Sequence, residues 1–476
     1  MGRNILSRGK ELIKNTAIVA VGKVCTKFLS FFLLPFYTAV LSTEEYGIVD
    51  LFNTYVSLLL PIIVFQIEDA LFRFLVDVRQ KDEEKKKVIS TVFFFALFQS
   101  VIFIIVFSLI SMLLSIQYGY YLLLNVIVSI FSGALLQLAR GLGNNFTYAF
   151  GSFLTAFVAI LSNIVLVLLF HMGADGLFIT AFVSNFIGSI YIVWKEKLYR
   201  MIHFRSFDKR YLKEMLAYSL PLVPNYLSWW IIGASDKSVV NWFLGISQNG
   251  ILSVSQKFST AYTSFYSIFN LTWTESASVH RDDMDSERFY SQIIDIAFRV
   301  LTCVCMGIIA IIPIVFPYMV NKNFAQAYYQ IPIYMLSSLL YSVIGIFSVV
   351  YVAYKRTGQI AKTSAIAAVL NLIVNIGLIR YIGLYAAAIS SVAAYGIMLL
   401  IRYFDIQKIV RIHIKKSVLI TMVILMIIDF IAYYSRILWI IWGNLFLMVC
   451  CSVYLNRRFL SEVLLTIKSK LKVGKG

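Results

Sequence analysis

The sequence predicts an all-α polytopic membrane protein, and composition and hydropathy pattern both indicate this class. Of the 476 residues, 60% are hydrophobic and 14% are charged, and the mean hydropathy is +0.81. Soluble proteins have roughly 45–50% apolar and about 25% charged residues, so an ordinary soluble fold is excluded. The apolar residues form about fourteen segments, each near the roughly 20 residues that a helix needs to cross a bilayer.

The predicted spans follow one another with short connections. They lie near residues 12–38, 46–75, 88–114, 118–141, 147–170, 175–194, 216–243, 249–276, 291–320, 328–354, 362–381, 384–403, 417–434 and 437–456. Span 1 lacks a small-residue cleavage site, so we expect a retained helix rather than a signal peptide. In span 7, Pro221 and Pro224 remove backbone donors and predict a kink.

The basic residues predict the orientation. The net charge is +18, and with a cytoplasmic N-terminus about 33 of the 42 Lys and Arg residues fall in inner loops and tails. The positive-inside rule therefore predicts that both termini lie in the cytoplasm. Because the basic clusters adjoin spans, we expect them to face anionic lipid and exclude nucleic acid as a partner. The clusters are Arg79–Lys87, Lys195–Lys213, Arg402–Lys416 and the tail from Arg457.

The sequence contains no motif for catalysis, metal binding or a cofactor. All five cysteines lie in predicted spans, so they offer neither a disulfide framework nor zinc-ligand spacing. The four histidines lie in separate short loops, and no HExxH, Walker or nucleophile-elbow motif occurs. We expect no catalytic residue, no metal and no cofactor.

An internal repeat predicts the domain organisation. Setting residue n beside n+203 aligns Gly47 with Gly250 and the polar run of span 2 with that of span 8, and an offset of 207 aligns spans 6 and 12. Because six spans preserve orientation, the two halves are parallel repeats about a pseudo-twofold axis, with substrate expected in a central cavity between them. The predicted domains are a six-helix lobe at 1–205, a second at 206–412, and a helix pair with a basic tail at 413–476.

Span 7 carries the strongest candidate site, because an acid and a base, Asp236 and Lys237, lie inside it. Charges in hydrocarbon are costly and mark function or pairing. Helical spacing predicts two polar, aromatic stripes turned away from lipid. One stripe is Asn225, Trp229, Ile232 and Asp236, and the other is Tyr226, Trp230, Gly233 and Lys237. The alternative is a packing face with a local ion pair.

Spans 1 and 8 supply further candidates for a cavity lining. Lys23 and Lys27 lie one turn apart without an acid at helical spacing, so they face an aqueous cavity or, alternatively, snorkel along the helix. Span 8 has a broad polar stripe that includes Lys257, Thr260, Ser264 and Asn270.

Other charges in the spans fall into two groups. Two acid–base pairs have i,i+4 spacing and predict local salt bridges: Asp69 with Arg73, and Asp295 with Arg299. Glu68 and Glu275 have no base at i+4, which makes them candidates for proton or cation coupling.

Three short motifs resemble those of a known family. They are Leu41-Ser-Thr-Glu-Glu-Tyr-Gly-Ile48 after span 1, Arg73-Phe74 near the end of span 2, and Asp236-Lys237 with Leu244-Gly245 at the end of span 7. The chain resembles the polysaccharide flippases, the Wzx-type exporters of O-antigen, capsule and exopolysaccharide in the multidrug/oligosaccharidyl-lipid/polysaccharide (MOP) superfamily. The resemblance covers most of the first 400 residues, and the last two spans are similar to the extra pair of lipid II flippases.

The resemblance implies a function. We expect alternating access that moves undecaprenyl-pyrophosphate-linked oligosaccharide from the inner to the outer leaflet of the bacterial cytoplasmic membrane, with polysaccharide polymerase and glycosyltransferases as protein partners. The lysines would bind the pyrophosphate, while the hydroxyl, amide and aromatic side chains would bind sugar. Two alternatives stay open: a cation-coupled multidrug exporter of the same fold, and a membrane glycan polymerase or ligase.

Overall fold

The computed structural model describes residues 31–279, 286–354, 356–413, 415–457 and 459–461. Within these ranges the secondary structure is helical and no β-strand occurs. The chain divides into two compact units, residues 1–250 and 251–476. The predicted all-helical membrane fold is therefore confirmed, whereas the boundaries at 205/206 and 412/413 stay predictions.

Unit 1 contains nine helices in its described part, and a tenth begins there. They are α1 (Leu34–Val40), α2 (Thr43–Val64), α3 (Ile67–Val78), α4 (Asp82–Leu113), α5 (Gly119–Gly141), α6 (Asn145–Asn163), α7 (Gly173–Lys195), α8 (Lys209–Ser219), α9 (Val223–Leu244) and α10 (Ile246–Val279). A π-helical turn, Ile164–Leu169, extends α6. The core of unit 1 lies among α3, α4 and α5, where Leu71, Leu75 and Ile89 are almost fully buried.

Local sequence explains where several of these helices begin and end. Ser42 caps α2 in a capping box: its hydroxyl accepts from the backbone N–H of Glu45, and the Glu45 carboxylate accepts from the backbone N–H of Ser42. Between α8 and α9, a 3-10 turn over Leu220–Leu222 lies where the two prolines of span 7 predict a kink. The change of helix type follows from the missing proline N–H groups.

Predicted span 2 is not one continuous helix. It is interrupted between α2 and α3 at Phe65 and Gln66, whose φ angles are +51° and +56°. Non-glycine residues adopt this left-handed region at a cost, so the interruption is held by the surrounding structure. It brings Glu68 and Asp69 into the first turn of α3, where the helix dipole favours negative charge.

Unit 2 contains the rest of α10 and six further helices in its described part. They are α11 (Ser286–Met319), α12 (Ile331–Ala353), α13 (Thr357–Ile382), α14 (Tyr385–Ile406), α15 (Lys416–Ser435) and α16 (Leu438–Leu455). Helix α14 packs against α12 and α13, and the C-terminal pair, α15 and α16, packs against α11. The predicted local salt bridge between Asp295 and Arg299 on α11 is confirmed at 3.0 Å.

Eleven of the described helical segments are long and apolar enough to cross a membrane. Helices α9 and α10, with 22 and 34 residues, are not among them because their polar side chains lower the hydropathy. Predicted span 1 lies mostly outside the described residues. The full count of fourteen spans and the two six-helix lobes stay predictions.

Arg402 corrects one expectation about the basic clusters. The sequence places it at the start of a cluster facing lipid head groups, but the structure buries it completely. Its Nε donates to Thr363 Oγ1 at 2.9 Å, its Nη2 to Ser364 Oγ at 3.0 Å, and its Nη1 to the hydroxyl of Ser348. Because α12 and α13 cover this turn of α14, the guanidinium links three helices instead of reaching the membrane surface.

Candidate functional site

Helix α9 packs along α2 and reaches the first turn of α3 within unit 1, and one of its two predicted stripes makes the polar contacts. The hydroxyl of Tyr226 donates to Asp69 Oδ2 at 2.8 Å. One turn further along the stripe, Trp230 Nε1 donates to the carbonyl oxygen of Thr54 at 3.1 Å. The side chain of Lys237 then completes the series. The stripe therefore makes polar contacts with α2 and α3, and its role in lining a cavity stays a prediction.

Lys237 forms a salt bridge with Asp50 of α2, with 2.6 Å between Nζ and Oδ2. Each side chain is only 16% exposed, so the pair is shielded from solvent. The neighbouring Asp236 is 2% exposed. Adjacent helical residues project about 100° apart, and the acid and base of α9 consequently have different surroundings. The lysine charge is already compensated by a carboxylate of the same unit.

The interruption between α2 and α3 borders the same face of α9. Asp69 accepts hydrogen bonds from Tyr226 and, at 3.3 Å, from Gln137 Nε2 of α5. The predicted local salt bridge between Asp69 and Arg73 is wrong, because Arg73 pairs with Asp77 at 2.6 Å on the exposed side of α3. Glu68 is half-buried beside Asp69. Two carboxylates thus lie at a break in a transmembrane helix, the kind of position that holds ion and substrate sites in transporters.

The repeat-related glycines Gly47 and Gly250 meet where α2 and the first turn of α10 cross. A Cβ added to Gly47 would lie 2.2 Å from the carbonyl oxygen of Ile246, and one added to Gly250 would lie 2.0 Å from that of Thr43. The two carbonyl groups, of Thr43 and Ile246, are separated by the same 203 residues as the two glycines. The backbones can approach this closely only without side chains at both positions.

Polar contacts hold this crossing together. The hydroxyls of Thr43 and Ser247 are 2.7 Å apart, and Asn249 Nδ2 donates to the carbonyl oxygen of Gly47 at 2.9 Å. Both contacts lie within unit 1. The crossing is therefore a specific, glycine-mediated contact between two turns that lie 203 residues apart in the sequence.

The profile of a family described as polysaccharide biosynthesis protein matches residues 12–274. This range is more than half of the 476 residues and contains the contacts of α9, α2 and α3. The chain belongs to this family. No curated protein sequence matches it.

Solved structures show that this polysaccharide biosynthesis family member has the MOP fold. The lipid II flippase MurJ in an inward closed conformation superposes with a TM-score of 0.70 and 16% identity, over 94% of this chain and 100% of that one. An inward-facing multidrug resistance MATE family transporter of the MOP superfamily gives 0.69 and 14%, over 82% and 98%. A MOP superfamily transporter from Pyrococcus furiosus Vc1 (DSM3638) gives 0.55 and 14%, over 83% and 96%. The predicted family is confirmed by the profile match, and at these identities the likeness to the solved structures concerns the fold alone.

The remaining candidate site residues, on α9 and α10, differ in how deeply they are buried. On α9, Asn225 and Trp229 are half-buried. On α10, Thr260 is exposed and Lys257 is half-buried, whereas Ser264 is fully buried and donates to the carbonyl oxygen of Thr260 at 2.8 Å. The fourth member of that stripe, Asn270, accepts from the hydroxyl of Tyr266 at 2.9 Å.

Three candidates cannot be placed. Lys23 and Lys27 lie outside the described residues, and the same holds for the side chain of Glu275. Within the described part of the chain, no group of three His, Cys, Asp or Glu side chains could hold a metal ion.

Asp50 is the residue that the sequence analysis missed. It is an acid within predicted span 2, and it has neither a lysine nor an arginine at i+3 or i+4. The same signal singled out Glu68 and Glu275. Applied to Asp50, it would have suggested a partner on another helix, which the structure shows to be Lys237.

Proposed function

We propose that the protein moves undecaprenyl-pyrophosphate-linked oligosaccharide from the inner to the outer leaflet of the bacterial cytoplasmic membrane by alternating access. The product would supply a cell-surface polysaccharide such as O-antigen, capsule or exopolysaccharide. The observation that carries the proposal is a match to a polysaccharide biosynthesis family over more than half of a helical membrane protein. A lipid II flippase with the same fold supports a lipid-linked cargo.

Two groups of candidate residues would bind the two parts of the cargo, the pyrophosphate and the sugars. Because Asp50 already compensates Lys237, we assign the pyrophosphate to Lys23 and Lys27, with Lys257 as a further cation. Sugar hydroxyls would bind polar groups and stack on aromatic faces. These groups are Asn225, Trp229, Trp230, Thr260, Ser264 and Asn270.

Alternating access assigns a role to the crossing at Gly47 and Gly250. Such transporters move by rocking one repeat against the other around a fixed site. We infer that the hydrogen bonds around these glycines close one side of the pathway and separate when that side opens. Protonation or cation binding at Glu68 or Glu275 would be the coupling step, and Asp236 would contribute to the gate through Lys257 or Lys27.

The wider setting follows from the same proposal. Both termini would lie in the cytoplasm, where the basic segments meet anionic lipid. Glycosyltransferases and a polysaccharide polymerase would supply and consume the cargo on the two faces.

The alternative with structural support is a cation-coupled multidrug exporter. The MATE transporter matches as well as MurJ, with TM-scores of 0.69 and 0.70, so the fold does not separate the two functions. A drug exporter of cations favours an acidic cavity, whereas Lys23 and Lys27 predict a cationic one. A glycan polymerase or ligase is a second alternative.

Reconstitution tests the proposal directly. Proteoliposomes with fluorescent undecaprenyl-pyrophosphate oligosaccharide in the inner leaflet should expose the label to an external reductant, and the Lys23→Ala/Lys27→Ala variant should lose most of this activity at normal abundance. Lys322→Ala, which removes a charge from an exposed connection, is the matched control. Full activity of the double variant would refute the pyrophosphate assignment. Failure of the unaltered protein to move the lipid, together with export of cationic dyes, would favour the multidrug exporter.

A further inference from the structure

Unit 1 contains an apolar cleft away from α9. The cleft has a volume of about 670 Å³ and lies among α3, α4, α5, α7 and the segment after α7. Leu71, Val92 and Leu138 form a buried floor, and the exposed side chains of Trp194 and Tyr199 form part of the rim. Its volume falls within the roughly 300–1,000 Å³ of small-molecule sites.

The lining of the cleft is unsuitable for water. Apart from the rim residues Trp194 and Tyr199, Ser189 is the one described lining residue with a polar side-chain atom, and its hydroxyl already donates to the carbonyl oxygen of Asn185 at 2.7 Å. A buried water needs two to four hydrogen-bond partners. Because the cleft opens between helices that face hydrocarbon, an apolar chain from the bilayer is the suitable occupant.

Exposed cations flank the cleft at the end of α7. Lys195, Lys197, Arg200 and Arg205 are all exposed, and within the described ranges none of them has a carboxylate within 4.0 Å. The acid among them, Glu196, is buried and accepts from Asn144 Nδ2 at 2.6 Å. We call these four residues the rim cations.

The neighbouring basic cluster at the start of α4 is different. Three of its lysines are neutralised by local salt bridges. The pairs are Lys81 with Glu84, Lys85 with Asp82, and Lys86 with Glu83. In the described part of the chain these three lysines, unlike the rim cations, each have a compensating carboxylate.

The segment that carries the rim cations is fixed to α4. Ser90 Oγ donates to the carbonyl oxygen of Met201 at 3.1 Å and accepts from the backbone N–H of His203 at 3.1 Å. Thr91 Oγ1 accepts from the backbone N–H of Asp208 at 3.0 Å. Ser90 and Thr91 are fully buried. The cations are thus held beside the mouth of the cleft instead of on a free loop.

We propose that this cleft binds an anionic phospholipid of the bilayer, with one acyl chain in the cleft and the head-group phosphate among the rim cations. Charge complementarity selects this occupant, because a zwitterionic head group adds to its phosphate an ammonium charge that the rim cations repel. The α9 contacts with α2 and α3 lie on other faces of unit 1. None of the described residues that line the cleft takes part in the α9 contacts, so the proposed lipid site is distinct from those contacts.

Lipid retention tests the head-group contact. The full-length protein is reconstituted in nanodiscs of phosphatidylcholine with a small fraction of phosphatidylglycerol of identical chains, transferred to detergent, and examined by native mass spectrometry for retained lipid. The variant Lys195→Gln/Lys197→Gln/Arg200→Gln/Arg205→Gln should lower the ratio of retained phosphatidylglycerol to phosphatidylcholine at least ten-fold, since each cation near the surface contributes about five-fold. The matched control removes four exposed cations after α14: Lys408→Gln/Arg411→Gln/Lys415→Gln/Lys416→Gln. An equal loss in both variants would overturn the proposal.

A second variant tests the acyl-chain contact. Ala134→Phe places a ring in the cleft and should reduce retention of phosphatidylglycerol, whereas Ala156→Phe on α6, outside the lining, should not. Unchanged retention in Ala134→Phe would show that no chain occupies the cleft. Displacement of phosphatidylglycerol by equimolar undecaprenyl phosphate would also overturn the proposal, because the occupant would then be the cargo's own lipid.

Discussion

At the scale of single residues, the partly buried pair of Lys237 and Asp50 makes the sharpest prediction. Either Lys237→Gln or Asp50→Asn alone leaves one charge without its partner in a low-dielectric setting, which is the costly outcome. The double variant removes both charges. We expect the free energies of unfolding lost in the two single variants to add up to more than the loss in the double variant. The difference, which is the coupling energy of the pair, should be about 0.5–3 kcal/mol.

Thermal unfolding of the purified protein measures this coupling. Arg73→Gln serves as the control, because the pair of Arg73 and Asp77 is exposed on both sides and its loss should change stability little. Strict additivity of the Lys237 and Asp50 variants would show that the 2.6 Å contact does not contribute to folding.

Asp236 makes a separate prediction about transport. We expect Asp236→Asn to impair export of lipid-linked glycan, and Asp236→Asn/Lys237→Gln to be no better, because the second change removes the lysine that pairs with Asp50 and does not restore the carboxylate at position 236. Complementation of a flippase-deficient strain at matched protein levels measures both. Rescue by the double change would return Asp236 and Lys237 to a shared structural role.

At the scale of elements, the close crossing of α2 and α10 predicts that alanine is harmful in place of its glycines but harmless in place of a glycine with open space around it. Gly47→Ala and Gly250→Ala would each place a Cβ about 2 Å from a backbone carbonyl oxygen, so the helices must separate. Overpacking of this kind costs about 1–3 kcal/mol. We expect lower thermal stability and reduced export from either substitution.

Gly233 on α9 supplies the control for this prediction. A Cβ there would meet nothing within 4 Å, and alanine is the better helix former by about 1 kcal/mol. Gly233→Ala should therefore be neutral or stabilising in the same unfolding assay. If Gly47→Ala were equally neutral, the close approach at the crossing would not be needed for the fold.

At the scale of the whole molecule, the charge distribution predicts topology. Segment Lys81–Lys87 and the C-terminal tail should be cytoplasmic, and Asp175 and Asn323 should face outside. In a background with the native cysteines replaced, an impermeant thiol reagent applied to intact cells should label Asn323→Cys and not Glu84→Cys. The reverse pattern would invert the orientation and, with it, the direction of transport.

The sequence by itself determined the class, the family and most helix positions. Apolar composition excludes a soluble fold. Because backbone N–H and C=O groups in lipid must form hydrogen bonds within the protein, few structures other than helices can span the membrane. Helical periodicity also identified Tyr226, Trp230 and Lys237 as one stripe of α9, because the 3.6-residue repeat is a local property. What a stripe faces is not local, so the same periodicity left cargo and packing equally open.

Only the tertiary structure decided the partners of the charged groups. Asp50 and Lys237 are 187 positions apart, and Arg402 is buried because two other helices happen to cover its turn. The interruption at Phe65 and Gln66 carries no glycine or proline to signal it, so it depends on packing rather than on local preference. Pairing, burial and helix breaks of this kind are set by residues distant in the chain, and a single sequence does not specify which distant residues meet.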